Sequence, residues 1–214
     1  MHRLTITFSF SSWLEQDTKD IYWITGKPGS GKSTVMKYFT HHDQLKCRLQ
    51  QWDRGKPLLL ATFYFWEAGE DSLQKSQIGL LRSLLYQCFR ERPSLVYHSI
   101  SPQRRAFLRL WGTKLDTWPQ WEEQELMACF KSLVRGAGDD YNIALFIDGL
   151  DEFHGDKKNF ISLVEEVSRW DGTKICVSIR PENIFHEHSC NTPKLKMQDL
   201  TGNDITIYVH GQLQ

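Results

Sequence analysis

Nine consecutive residues, Gly26-Lys27-Pro28-Gly29-Ser30-Gly31-Lys32-Ser33-Thr34, have the types and spacing to hold a chain of phosphates. They fit the pattern GxxxxGK[ST]. Gly26, Gly29 and Gly31 allow backbone conformations that turn successive N–H groups inward onto phosphate oxygens. Lys32 brings a mobile positive charge to the β- and γ-phosphates, and the Ser33 hydroxyl is suited to ligating Mg²⁺. A second element is Asp148, which ends the apolar run IALFID. A carboxylate there can hold Mg²⁺, usually through a water, beside Ser33. Many ATPases carry a catalytic Glu directly after this Asp, but here the position is Gly149. The next acids, Asp151 and Glu152, are candidates for orienting an attacking water from a displaced position; the plainer reading makes them solvated loop acids. The third element is Arg180 in Ser178-Ile179-Arg180-Pro181, after the run KICVSI. An Arg at that strand tip can touch a γ-phosphate and report its presence, or it can face solvent or an acid.

These residues need elements to position them. DIYWIT (Asp20 to Thr25) reads as a buried strand entering the Gly-rich turn, with a helix from Lys32 to about His41. The phosphate-binding reading requires that order, because the helix start adds its positive end to the site. Further strands are read at Leu58 to Trp66, Ile143 to Asp148 and Lys174 to Ile179, with a fifth at Lys194 to Leu200. Helical spacing of apolar residues places helices over Lys75–Arg90, Glu122–Val134 and Asn159–Trp170. Pro93 to Gln120 stays ambiguous. Thr201 with Asp204 three residues on reads as the start of another helix. Strands alternating with helices, and strands apolar on both faces, predict an α/β fold: a three-layer, mostly parallel five-stranded sheet covered on both sides.

Composition narrows the classes. The 214 residues suit one domain, and 26 Lys plus Arg balance 26 Asp plus Glu. With no net basic charge, neither nucleic acid nor an anionic membrane is an expected partner. The longest apolar run is about Pro57 to Trp66, too short to span a bilayer. Five cysteines, odd in number and without a CxxC, predict reduced thiols in a cytoplasmic protein. The first residues, MHRLTITFSFSSW, imitate a signal peptide but lack a small-residue cleavage site. The expected organisation is a leader over residues 1–15, the domain over 16–200, and over 201–214 the first helix of a following region.

Together IYWITGKPGSGKST, FYFWEAGEDSLQKSQIGLLRSLLYQ, LFIDGLDEF, KICVSIRPENIF and MQDLTGNDITIYV resemble the NACHT group of STAND-type P-loop NTPases. The nearest likeness is to fungal proteins with a nephrocystin-like N-terminal NTPase domain. The resemblance runs from about Trp13 to Val209, and the DG-x-DE form of its acidic motif is its more diagnostic part. It implies a five-stranded core with the Arg180 strand between the phosphate-loop strand and the Asp148 strand. It also implies a slow, Mg²⁺-dependent ATP or GTP switch in signalling, working with other domains or subunits of an assembly. Ile179 departs from the pattern, which has Ser before the Arg-Pro pair.

Other patterns compete. Thr113-Lys114-Leu115-Asp116 matches the guanine-reading [NT]KxD motif, but it precedes the Asp148 strand rather than following a late one. A non-hydrolysing nucleotide-binding or scaffold module is the alternative from another class, and Gly149 supports it. His186, His188 and Cys190 alternate like ligands but lack a second pair at zinc spacing. Arg104, Arg105 and Arg109 form a small basic cluster that a solvated helix face explains.

Overall fold

The structure, a computed structural model, describes residues 10–111, 120–181 and 192–199. Five strands form one sheet: β1 (Tyr22–Thr25), β2 (Leu58–Tyr64), β3 (Asn142–Asp148), β4 (Thr173–Ile179) and β5 (Lys194–Lys196). Their order is β2-β3-β4-β1-β5, and every pairing is parallel. β4, which leads into Arg180, therefore lies between the phosphate-loop strand β1 and the Asp148 strand β3, as the resemblance implies.

The pleat splits each strand between two cores. In β3, Ile143, Leu145 and Ile147 join one cluster, and Ala144 and Phe146 the other. In β4, Ile175, Val177 and Ile179 go one way and Cys176 the other. The first cluster is closed by α4 (Gln77–Glu91), α7 (Glu123–Arg135) and α8 (Lys157–Ser168). The second is closed by α1 (Phe10–Glu15), α2 (Lys32–His41) and α3 (Asp43–Asp53). This is why β1, β3 and β4 carry buried residues at every position.

Two stretches resolve into elements that periodicity did not reveal. The ambiguous segment holds α5 (Ser94–Ser99) and α6 (Pro102–Trp111). α3 buries only Leu45, Leu49 and Trp52 in a polar sequence, and His42 caps its start by accepting the Gln44 amide at 3.2 Å. The fifth strand is shorter than read, because Met197–Asp199 turn into a 3₁₀ helix. The helix expected from Thr201 lies outside the described residues.

α1 falls within the stretch read as a leader, yet Phe10, Trp13 and Leu14 are buried against Tyr22 and Phe39. It is held by an unusual group. Lys174, 1% exposed, donates from Nζ to the carbonyls of Trp13 at 2.7 Å and Gln16 at 2.6 Å. The ammonium also lies 5.0 Å from the Trp13 ring and 4.8 Å from the Trp52 ring. It thus binds carbonyls at the C-terminal end of α1, where a helix favours a cation. Burial lowers its pKa to about 8, opposed by the charge of Asp17.

The cysteines Cys88, Cys129 and Cys176 are buried free thiols, and burial pushes the first two up to about 12. No helix among the described residues is long and apolar enough to cross a membrane.

Candidate functional site

The Gly-rich turn joins the carboxyl end of β1 to the start of α2, at the edge of the sheet where parallel α/β folds place ligands. Gly29 and Gly31 have φ of 71° and 88°, in the left-handed region that only glycine enters freely. Gly31 is the N-cap of α2 and no side chain caps that end, so the first amides of the helix point into the cleft. Gly26 is required by space: a Cβ there would fall 2.4 Å from Ser30 Oγ and 2.8 Å from Met197 Cβ. Met197, following β5, thereby packs against the turn from outside.

Lys32 is only 9% exposed. Its Nζ donates to the carbonyls of Gly26 at 2.8 Å and Lys27 at 3.1 Å. Burial lowers its pKa, and the charges of Asp151, Asp148 and Glu152 work the other way. Ser30 Oγ is buried without a hydrogen-bond partner.

Asp148 is 3% exposed at the end of β3. Its Oδ1 accepts a hydrogen bond from the Ser178 hydroxyl on β4, and Ser178 Oγ accepts the Gly149 amide at 2.8 Å. Gly149 has φ of 72°, and a Cβ there would lie 3.3 Å from the Phe65 carbonyl oxygen. The position where many ATPases carry Glu is thus left-handed here, and the chain enters a 3₁₀ turn over Leu150–Glu152.

That turn presents both displaced acids to Arg180. Asp151 Oδ1 accepts the Arg180 amide at 2.9 Å, and its Oδ2 is 2.9 Å from Arg180 Nε. Glu152 Oε1 is 3.3 Å from Arg180 Nη2, while Oε2 accepts the Glu67 amide beyond β2 at 2.9 Å. Lys157 Nζ donates to the Asp151 carbonyl at 2.7 Å.

Pro28 through Thr34, with Gly149, Asp151, Glu152 and Arg180, line one cleft of about 280 Å³. Asp148, 3% exposed, is not among the residues that line it. The donor set suits a polyphosphate: uncapped helix amides, the Lys32 ammonium, the Arg180 guanidinium and the orphaned Ser30 hydroxyl. The hard oxygen ligands that Mg²⁺ favours are the Ser33 hydroxyl, which lines the cleft, and the Asp148 carboxylate at the end of β3.

The sequence reading did not single out Ser178, Met197 or the Glu67 amide as parts of this site. Ser178 stood inside a quoted motif whose Arg drew the attention. The Met197 contact joins residues distant in sequence and carries no local signal. Thr113–Asp116 and His186–Cys190 lie outside the described residues, and among the described ones no His, Cys, Asp or Glu group could hold a metal on its own. Arg104 is bound to Glu125 and lies 4.4 Å from the Trp121 ring, and Arg105 and Arg109 stack on Tyr97, so these cations already have partners within the fold.

Comparison with known proteins agrees with this geometry. The chain is 28% identical over 162 residues to the vegetative incompatibility protein HET-E-1 of Podospora anserina. The match covers 74% of this chain and 10% of that protein, so the chain corresponds to about a tenth of its relative's length. The sequence model described as Nephrocystin 3, N-terminal, matches residues 3–180, from before α1 through β4 to Arg180. With the parallel five-stranded sheet and the glycine turn at its edge, this match means that the chain belongs to the nephrocystin 3 N-terminal family.

Proposed function

We propose that the chain binds a nucleoside triphosphate, ATP or GTP, with Mg²⁺, hydrolyses it slowly, and serves as the nucleotide switch module of a STAND-type signalling protein. The observation that carries this reading is the cleft itself: left-handed Gly29 and Gly31, the uncapped start of α2, and Lys32 with Arg180 both in its lining. The backbone of Gly26 to Ser33 would hold the α- and β-phosphates. Lys32 would exchange the Gly26 and Lys27 carbonyls for β- and γ-phosphate oxygens. Ser33 and Asp148 would hold Mg²⁺, which when bound neutralises charge on the phosphate oxygens. Arg180 would reach the γ-phosphate, and Asp151 or Glu152 would orient the attacking water.

Slow turnover follows from the wiring of that last group. Gly149 offers no side chain, and both acids are engaged by Arg180. The same wiring favours the second reading, a module that holds nucleotide without turning it over. A role in signalling, with other domains or subunits as partners, draws support from the relative's name as a vegetative incompatibility protein.

Calorimetric titration of Mg·ATP and Mg·GTP into wild type and Lys32→Ala tests the binding. Hydrogen bonds to charged groups are worth about 1.5–3 kcal/mol each, so a loss of about tenfold or more is expected. Equal affinities with the fold intact would overturn the assignment. Single-turnover assays with labelled nucleotide then separate slow hydrolysis from holding alone.

A further inference from the structure

We propose that Ser178 is a positioning residue that fixes the Asp148 carboxylate for Mg²⁺, an inference that rests on the nucleotide reading above. Ser178 is completely buried on β4, the strand between the phosphate-loop strand and the Asp148 strand. A hydroxyl in an apolar strand is costly unless both its donor and its acceptor are used. Here both are used, on two consecutive residues at the end of β3. The O–H donates to Asp148 Oδ1, and the oxygen accepts the Gly149 N–H at 2.8 Å.

The geometry has two effects. First, one carboxylate oxygen is committed sideways across the sheet, which fixes the rotation of the group and the direction of the other oxygen. A metal ligand held in one orientation binds more tightly than one that must be ordered on binding. Second, the same oxygen anchors the first amide of the left-handed turn, which leads into Asp151 and Glu152. Ser178 thus ties the metal-holding carboxylate to the turn that carries the acids around Arg180. It touches neither phosphate nor metal and acts through Asp148.

The test is calorimetry of a non-hydrolysable ATP analogue, in Mg²⁺ and in EDTA, with wild type, Ser178→Ala, Ser178→Cys and Ser178→Thr. Ser178→Cys keeps the volume with a weak donor, so the comparison survives if Ser178→Ala does not fold. Affinities in EDTA should agree within about twofold, because those contacts are made by the Gly26–Ser33 backbone and Lys32. The gain in affinity on adding Mg²⁺ should fall by about tenfold in Ser178→Ala and Ser178→Cys, as for other residues that orient metal ligands. Ser178→Thr, which keeps the hydroxyl, should restore it. An unchanged Mg²⁺ gain in the variants, or equal losses in Mg²⁺ and EDTA, would reduce Ser178 to packing and overturn the proposal. Wild type that binds no analogue, or binds without a Mg²⁺ gain, would overturn the underlying nucleotide reading and this inference with it.

Discussion

Arg180 and Glu152, both lining the cleft, meet with Nη2 3.3 Å from Oε1, in an ion pair that the proposed γ-phosphate contact would have to break. Asp151 holds the same guanidinium more deeply, with Nε 2.9 Å from Oδ2. The Arg180 charge is thus stored on acids beside the position proposed for the terminal phosphate.

That storage sets opposite expectations for two variants. Arg180→Ala should shrink the preference for triphosphate over diphosphate and leave diphosphate binding nearly unchanged. Glu152→Gln should raise triphosphate affinity, because Arg180 is then released more easily. The pair is partly exposed, so its strength is at most about 1 kcal/mol and the gain no more than about fivefold. Calorimetry with both nucleotides reads each effect, and equal losses for triphosphate and diphosphate in Arg180→Ala would mark a structural Arg.

Gly149 explains why this site should not be made fast by supplying the missing Glu. A side chain there meets left-handed strain of about 1–2 kcal/mol and a carbonyl oxygen at 3.3 Å. Gly149→Ala should lower unfolding free energy by roughly that amount in urea titrations. Gly149→Glu should be at least as destabilised and show no increase in single-turnover hydrolysis. A faster rate would mean the turn can rearrange to use a Glu.

Much of this site was legible because its chemistry is local. Gly26 to Thr34 are contiguous, and Asp148 and Arg180 each end an apolar run, so type and spacing placed all of them at the sheet edge. The strand order came only through family likeness, since pairings between β1 and β4 join residues far apart in sequence. What stayed hidden depends on side chains meeting across strands: Ser178 on Asp148, Arg180 on Asp151 and Glu152, and Met197 on Gly26. α3 was hidden for another reason, in that three buried residues among seven polar ones and an exposed Cys47 leave a faint periodic signal.

Lys174 gives the fold a pH dependence of its own. Its pKa is lowered on folding from 10.5 to about 8, so between those values the unfolded chain binds more protons. The lysine's contribution to stability should therefore rise as pH climbs from about 8 toward 10.5, by at most about 3 kcal/mol, and be flat below about 7. Urea titrations of wild type and Lys174→Met across pH 7–10 check this. The difference between the two proteins should change over that window, and a constant difference would show that the charged form is fully compensated by the Trp13 and Gln16 carbonyls.

The same lysine decides where this polypeptide can be cut. Both carbonyls it binds, of Trp13 and Gln16, and one of the two rings beside it, Trp13, lie before β1; the other ring, Trp52, belongs to α3. A cleavage at the Asp17–Asp20 stretch would leave a cation stranded in the interior and strip Phe10, Trp13 and Leu14 from the face of Tyr22 and Phe39. The smallest autonomous piece should therefore reach back at least to Phe10, ten residues and more ahead of the first strand, and a protease entering that link should release a species that no longer keeps its phosphate-side helix α2 packed.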